Sequence, residues 1–230
     1  MLETAITKIK KNIPYVDVVL SHGNLPNKAY AKFKDLGASR YLIKMETFQK
    51  NLYEKIRPEQ KIEDRISRIK SLMNLGYQVG SGFIVGMPGY STEMLAKDLL
   101  SLQKLEVHMF SITPFVSTPN TPWTNKLNGS SELVSRACAI YRILEPTVNI
   151  PATTALSVLD PETFKKSLKR GCNVVMCSFT PKQEKADYAI YQGKGLSDNI
   201  PNVEKMKELV KDLGLYIKDK ELGRSKKGEI

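Results

Sequence analysis

Cysteine is scarce in this chain. Cys138, Cys172 and Cys177 are the three thiols among 230 residues. An odd number in no regular framework excludes a disulfide scaffold. Four residues separate Cys172 from Cys177, which is not a spacing expected of a zinc or iron–sulfur knuckle. All three are therefore expected to be free thiols. Histidine is scarcer still: His22 and His108 are too few for a histidine-based metal site, and His22 reads as a loop residue. No apolar run approaches the roughly 18 residues of a membrane span. The opening Met1-Leu2-Glu3-Thr4-Ala5 carries an early acid with no apolar stretch behind it, unlike a signal peptide. A cytoplasmic protein without a membrane partner is the expectation. No Gly-x-Gly-x-x-Gly follows the first strand, which removes the simplest argument for a dinucleotide fold. An aromatic-interleaved basic stripe is also missing. The net charge is +11, yet the lysines are spread along helices and stand beside acids, as at Lys207-Glu208, with a further cluster at Arg224-Ser225-Lys226-Lys227. Solvated helix faces account for most of that charge, and a nucleic-acid partner is not expected.

What is present suits one soluble domain. The apolar fraction of 41 % over this length is enough to bury a proper core. Two periodicities alternate along it. Leu2, Ile6 and Ile9 mark a helix stopped by Pro14, and Val16 to Leu20 reads as a β-branched strand. Tyr30, Phe33 and Leu36 line a helix closed by Gly37, followed by a strand over residues 40–46. After a longer connection, Ile62, Ile66, Ile69, Leu72 and Met73 form a helix closed by Gly76, and residues 77–86 a third strand. Leu95, Leu99 and Leu102 mark a helix entered through Ser91 and Glu93, before a strand at 109–116. Leu133, Ala137, Ile140 and Leu144 suggest the next helical face, followed by a strand at 149–155. Asp160-Pro161-Glu162 is a strong helix start, with Asp as cap and Pro at the first helical position. A sixth strand at 172–178 and a last helix carrying Val203, Met206, Val210 and Leu213 complete the series.

Strand–helix alternation of this kind predicts a parallel sheet with crossover helices. The fold class is α/β, a partial (β/α)8 TIM-type barrel of about six βα units. Six strands are two short of a closed barrel, and the chain opens on a helix. An N-terminal part of the barrel, on the order of 60 residues at ~30 per unit, is therefore expected to belong to the complete protein. Residues 1–200 read as the partial barrel and 201–230 as a C-terminal helix with a basic tail.

In a barrel the site lies at the C-terminal strand ends. The polar residues there are Ser21 and His22, then Lys44, Glu46 and Thr47, then Ser117, then Thr153 and Thr154, then Ser178 and Thr180. Burying Glu46 toward a pocket is costly unless it binds something. Thr153 and Thr154 are neighbours, so on a strand only one of them faces inward. Gly80, Gly82 and Gly86 in one strand are unusual, and either a ligand or a bulge would explain them.

An ordered set of segments is more specific. Arg40-Tyr41-Leu42-Ile43-Lys44-Met45-Glu46-Thr47 is followed by Leu52-Tyr53 and Ile56-Arg57-Pro58. Then come Gly76-Tyr77-Gln78-Val79-Gly80-Ser81-Gly82, Val85-Gly86-Met87-Pro88-Gly89, Asn149-Ile150-Pro151-Ala152-Thr153-Thr154-Ala155 and Gly171-Cys172-Asn173-Val174-Val175-Met176. This order resembles the radical S-adenosylmethionine enzymes of the biotin synthase-like group. Within the group it is most similar to those of [FeFe]-hydrogenase maturation, with methylornithine synthase as a sister reading. The resemblance runs from near residue 1 to about 195.

The resemblance implies site residues. Glu46 matches a strand-end glutamate that contacts S-adenosylmethionine, and Arg65 an arginine that approaches its methionyl carboxylate, a role suited to a bidentate guanidinium. Ser21 matches a serine beneath the cofactor. Gly82, Ile84 and Gly86 lie in a Gly-x-Ile-x-Gly strand against the adenosyl group. Lys44, Thr153, Thr154, Tyr188 and Tyr191 fall at positions near the substrate cavity. The maturases carry arginine and histidine where Lys44-Met45 stand here; lysine keeps the charge but not the fork, so the substrate is expected to differ.

The family also holds a [4Fe–4S] cluster through Cys-x-x-x-Cys-x-x-Cys, and no such motif occurs in this chain. In the family, one electron delivered at that cluster cleaves S-adenosylmethionine to a 5′-deoxyadenosyl radical. The implied reaction is hydrogen abstraction from a small amino-acid-derived or organometallic substrate. The implied cofactors are S-adenosylmethionine and the cluster, and the implied partners are a small-molecule substrate and an N-terminal half or reductant protein. Catalysis by this chain alone is not expected. Two alternatives stay open: a non-catalytic remnant or split-protein binding module, and a methylornithine synthase-like mutase.

Overall fold

The computed structural model describes residues 1–181, 184, 203–218, 223 and 225–227. The chain begins with α1 (Leu2–Asn12), β1 (Val18–Leu20), α2 (Asn27–Asp35), β2 (Ala38–Leu42), α3 (Lys50–Ile56), α4 (Ile62–Asn74) and β3 (Gln78–Val85). It continues with α5 (Thr92–Gln103), β4 (Met109–Pro114), α6 (Ser131–Leu144), β5 (Pro151–Ala152), α7 (Thr154–Leu159), α8 (Pro161–Lys169), β6 (Val174–Val175) and α9 (Val203–Asp212). No helix among the described residues is long and apolar enough to cross a membrane.

The strands form a four-stranded sheet in the order β1-β2-β3-β4 and a second pair, β5-β6. β1 and β2 are parallel, with Leu20 opposite Tyr41 and an irregularity between Val18 and Val19. β2 and β3 are parallel, with Arg40 opposite Gln78 and Leu42 opposite Gly80. β5 and β6 are parallel, Pro151 opposite Val174. Sequential parallel strands joined by helices are the βα units expected from the alternating periodicities.

The chain divides into two compact units. The first comprises residues 1–83 and 96–111 with the described tail residues 223 and 225–227. Its core includes Ile6, Tyr30, Tyr41, Tyr53, Ile69, Leu72, Tyr77 and Phe83, each almost fully buried. Tyr30 and Tyr41 meet edge to face at 5.0 Å, and Tyr41 and Tyr77 at 6.0 Å. Their hydroxyls still find acceptors: Tyr30 and Tyr41 both donate to the Gly23 carbonyl, and Tyr77 to the Tyr30 carbonyl. The cluster thus pins the loop after β1 through Gly23. Desolvation pushes Tyr77 up to about 12, so its phenol stays a protonated donor at neutral pH.

The second unit holds residues 84–95 and 112–218. Val134, Ala137, Cys138, Tyr141, Val148, Ile150, Ala152, Leu156 and Phe164 make its core. Arg142 on α6 donates to the carbonyls of Gly171, Pro146 and Val148 and to Asn173 Oδ1, at 2.7–3.0 Å. One guanidinium thereby gathers the C-terminal end of α6 and the approaches to β5 and β6. Asp160 caps α8, its Oδ1 accepting from Thr163 N at 2.9 Å, as the Asp-Pro-Glu start predicts.

Several expectations need correction. The second strand was expected to reach Glu46, but β2 ends at Leu42, and Glu46 makes an isolated bridge to Phe83. The long connection after it contains α3, which at seven residues, with Leu52, Tyr53 and Ile56 apolar, is too short to announce itself by period. The buried face of α6 is Val134, Ser135, Ala137, Cys138 and Tyr141; Ile140 is half exposed. The fifth strand is two residues long, and Thr154 opens α7 instead of extending it. The sixth is likewise two residues.

The strand glycines have a cause within the protein. A Cβ on Gly82 would lie 1.5 Å from the Ser111 carbonyl oxygen, and one on Gly86 2.4 Å from the Gly129 Cα. Gly80 is hemmed by Met109 and Leu42 side chains. Close approach of neighbouring protein, not a bulge, accounts for them.

Candidate functional site

The path from β2 into α3 sets the site. Past Leu42 the chain stays in register beside β3: Ile43 N donates to Gly80 O, Met45 N to the buried Ser81 Oγ, and Glu46 N to Gly82 O. Alternation then buries Ile43 and Met45 completely and turns Lys44 and Glu46 to the other face, partly open. At Glu46 the backbone changes hand, with φ +65°. A glutamate in that region costs about 1 kcal/mol, and such strain gathers where geometry matters for function.

The Glu46 carboxylate is only 13 % exposed and lies between two cations. Arg57 Nη2 donates to Oε1 at 3.0 Å, and Lys44 Nζ stands 3.6 Å from Oε2. Oε2 is buried without a hydrogen-bond partner among the described residues. A buried, unsatisfied carboxylate oxygen is costly, so it is suited to accept from a ligand ammonium or hydroxyl.

Arg65, on α4 in the same unit, is 3 % exposed. Its Nε donates to the Tyr53 hydroxyl at 3.3 Å and its Nη2 to Gln60 Oε1 at 3.1 Å. Both acceptors are neutral, and no carboxylate among the described residues pairs with it. A buried guanidinium without a counter-ion is suited to an anionic ligand group. Ser21 lies one residue past β1 and is exposed.

In the second unit, Ile84 is half buried on β3, and Gly86 follows that strand with φ +80°. Thr153 precedes α7, 4 % exposed, with its Oγ1 buried and lacking a hydrogen-bond partner among the described residues. Thr154 is the first helical residue. Tyr188 and Tyr191 lie outside the described residues.

Two participants escaped the sequence reading. Arg57 follows the helix that the sequence did not reveal. Asp98 is fully buried on α5 and accepts from Thr47 Oγ1 and Phe48 N, the residues directly after Glu46. Its signal was an acid set within the apolar stripe Leu95, Leu99 and Leu102, where a polar residue must be paired.

The two cofactors fare differently. Cys138 and Cys172 are buried, and their contact together with desolvation holds the Cys138 thiol well above the usual range. Burial also raises Cys177. A thiol held protonated is a poor metal ligand, and no group of three or more His, Cys, Asp or Glu among the described residues is placed to hold a metal ion. The described residues therefore do not fit a [4Fe–4S] cluster. The Glu46 oxygen without a hydrogen bond and the Arg65 guanidinium without a counter-ion suit a ligand with an ammonium and a carboxylate.

The chain is similar to known proteins in sequence and in fold. The Radical SAM superfamily model matches residues 2–102. The [FeFe] hydrogenase maturase subunit HydE of Thermotoga maritima is 40 % identical over 179 residues, 78 % of this chain and 51 % of that protein. Over residues 2–102 the chain thus matches the radical SAM superfamily. A biotin synthase of Alkaliphilus metalliredigens is 25 % identical to this chain over 202 residues, 88 % of this chain and 58 % of its own length. The crystal structure of methylornithine synthase (PylB) superposes with a TM-score of 0.80 at 19 % identity, covering 94 % of this chain and 62 % of that one. The fold is accordingly a partial TIM-type barrel. The chain spans about half the length of the curated relatives it matches.

Proposed function

We propose that this chain supplies the S-adenosylmethionine- and substrate-binding wall of a radical SAM enzyme. The observation that carries the reading is Glu46: a strained, largely buried carboxylate with one oxygen bonded to Arg57 and the other, 3.6 Å from Lys44 Nζ, without a hydrogen-bond partner among the described residues. In this reading Oε2 accepts from a donor of S-adenosylmethionine, and Arg65 binds its carboxylate as a charge-assisted pair. By the family resemblance, Ser21, Gly82, Ile84 and Gly86 are further candidates for cofactor binding, and Lys44, Thr153, Thr154, Tyr188 and Tyr191 are candidates for substrate binding. Thr153 supports this with its unpartnered buried hydroxyl.

The complete enzyme would reductively cleave S-adenosylmethionine and abstract hydrogen from a small amino-acid-derived substrate, in chemistry akin to hydrogenase cofactor maturation. That requires a [4Fe–4S] cluster, which the described residues do not fit. We assign its ligands to further polypeptide, either an N-terminal half or a separate subunit, with a reductant protein as electron source. This chain alone then binds the cofactor but does not cleave it.

The test is anaerobic reconstitution with iron and sulfide, followed by calorimetric titration with S-adenosylmethionine and assay for 5′-deoxyadenosine. Binding without cluster absorbance or 5′-deoxyadenosine is the expected outcome. No binding, or formation of both products on this chain alone, would refute the reading.

A further inference from the structure

The loop after Glu46 is held by a helix that contributes nothing else to the site. Asp98 on α5 has no solvent exposure, and a carboxylate so buried is stable only when paired. Its Oδ2 accepts from Thr47 Oγ1 at 2.8 Å, and its Oδ1 from Phe48 N at 3.0 Å and Gln49 Nε2 at 2.7 Å. Thr47 Oγ1 in turn accepts from Gln49 N at 3.0 Å. These contacts fall on three consecutive residues. They begin one residue after the left-handed backbone of Glu46 and end at Gln49, the residue that caps α3. At the far end of α3 stands Arg57, whose guanidinium returns to Glu46.

Asp98 therefore grips the connection between the two members of the Glu46–Arg57 pair. Glutamate has no intrinsic reason to stay left-handed. Freed of the grip, Glu46 would relax toward the extended region, carrying Thr47 and Phe48 away from α5 and turning its carboxylate out from between Lys44 and Arg57.

We infer that Asp98 is a positioning residue for the candidate cofactor site: by tying Thr47, Phe48 and Gln49 to α5, it holds the strained backbone that aims Glu46 at its ligand. The inference rests on the reading of Glu46 as a contact of S-adenosylmethionine. Asp98 itself acts through Glu46 and not on the ligand.

Two measurements on the full chain separate this inference from that reading. Without ligand, hydrogen exchange over residues 45–57 should rise at least tenfold in Asp98→Ala, equivalent to ~1.4 kcal/mol of local opening, while the segment around Arg142 keeps its protection. With S-adenosylmethionine, Asp98→Ala should weaken binding at least tenfold, matching Glu46→Gln. Asp98→Asn, which keeps an oxygen for Phe48 N and offers its amide to Thr47, should recover binding to within roughly threefold. Should Asp98→Ala fail to fold, Thr47→Val removes one of the same contacts at constant volume and should show the same local opening. Unchanged exchange over 45–57, or wild-type binding by a locally opened variant, would overturn the inference. If wild type itself does not bind, the cofactor reading fails, while the exchange measurement still decides whether Asp98 holds the Glu46 backbone.

Discussion

Gly82 on β3 approaches the backbone of Ser111 on β4 so closely that a methyl group there would lie 1.5 Å from the Ser111 carbonyl oxygen. Backbone cannot move aside as a flexible side chain can. Gly82→Ala should therefore destabilise the protein by about 3 kcal/mol. Urea unfolding should show a lower midpoint with an unchanged slope.

Glu46 carries backbone strain together with the proposed ligand contact. Replacing it with glycine removes the left-handed penalty and the ion pair with Arg57 at once, two effects of about 1 kcal/mol and opposite sign. Glu46→Gly should leave stability within about 1 kcal/mol of wild type. S-adenosylmethionine binding, read by calorimetry, should fall at least tenfold. A variant that unfolds more easily by several kcal/mol would instead make Glu46 a structural residue.

Arg142 gathers three carbonyls, from Pro146, Val148 and Gly171, in the second unit. Arg142→Lys keeps the charge but not the planar fork, and leaves half-buried acceptors unpaired. Both Arg142→Lys and Arg142→Ala should lower stability by about 2 kcal/mol. Chemical denaturation of the two variants should show the lysine recovering little of the loss.

His108 gives the fold a pH dependence. Its Nδ1 accepts from Val79 N at 3.3 Å, which a protonated ring cannot do. Burial, with the nearby Lys227 charge, holds its pKa below the usual 6.5. The unfolded chain therefore takes up this proton at higher pH than the folded one. The stabilisation is complete above about pH 7 and is lost as pH falls through the ordinary histidine range. Unfolding midpoints measured from pH 8 to pH 5 should fall more steeply for wild type than for His108→Asn. Parallel slopes would place the pH dependence elsewhere.

Much of this was legible in the linear order of residues. Alternating periods announced the βα units, Asp160-Pro161-Glu162 announced α8, and Gly37 and Gly76 marked helix ends at positive φ. The order of motifs named the superfamily and nominated Glu46 and Arg65. These features are local or motif-borne, so a single chain read end to end displays them.

Other features depend on residues distant in sequence. Asp98 meets Thr47 across 51 positions, Gly82 meets Ser111, and Arg142 meets Asn173 across 31. No period or spacing reveals such partners. The amino-acid sequence by itself determined the βα architecture and nominated Glu46 and Arg65 as candidates, because propensity, capping and motif order act over short range. Only the tertiary structure decided that Glu46 is strained and half-paired, that the strand glycines make room for backbone and that Asp98 grips the loop, because burial and hydrogen bonding between distant segments exist only once the chain has folded.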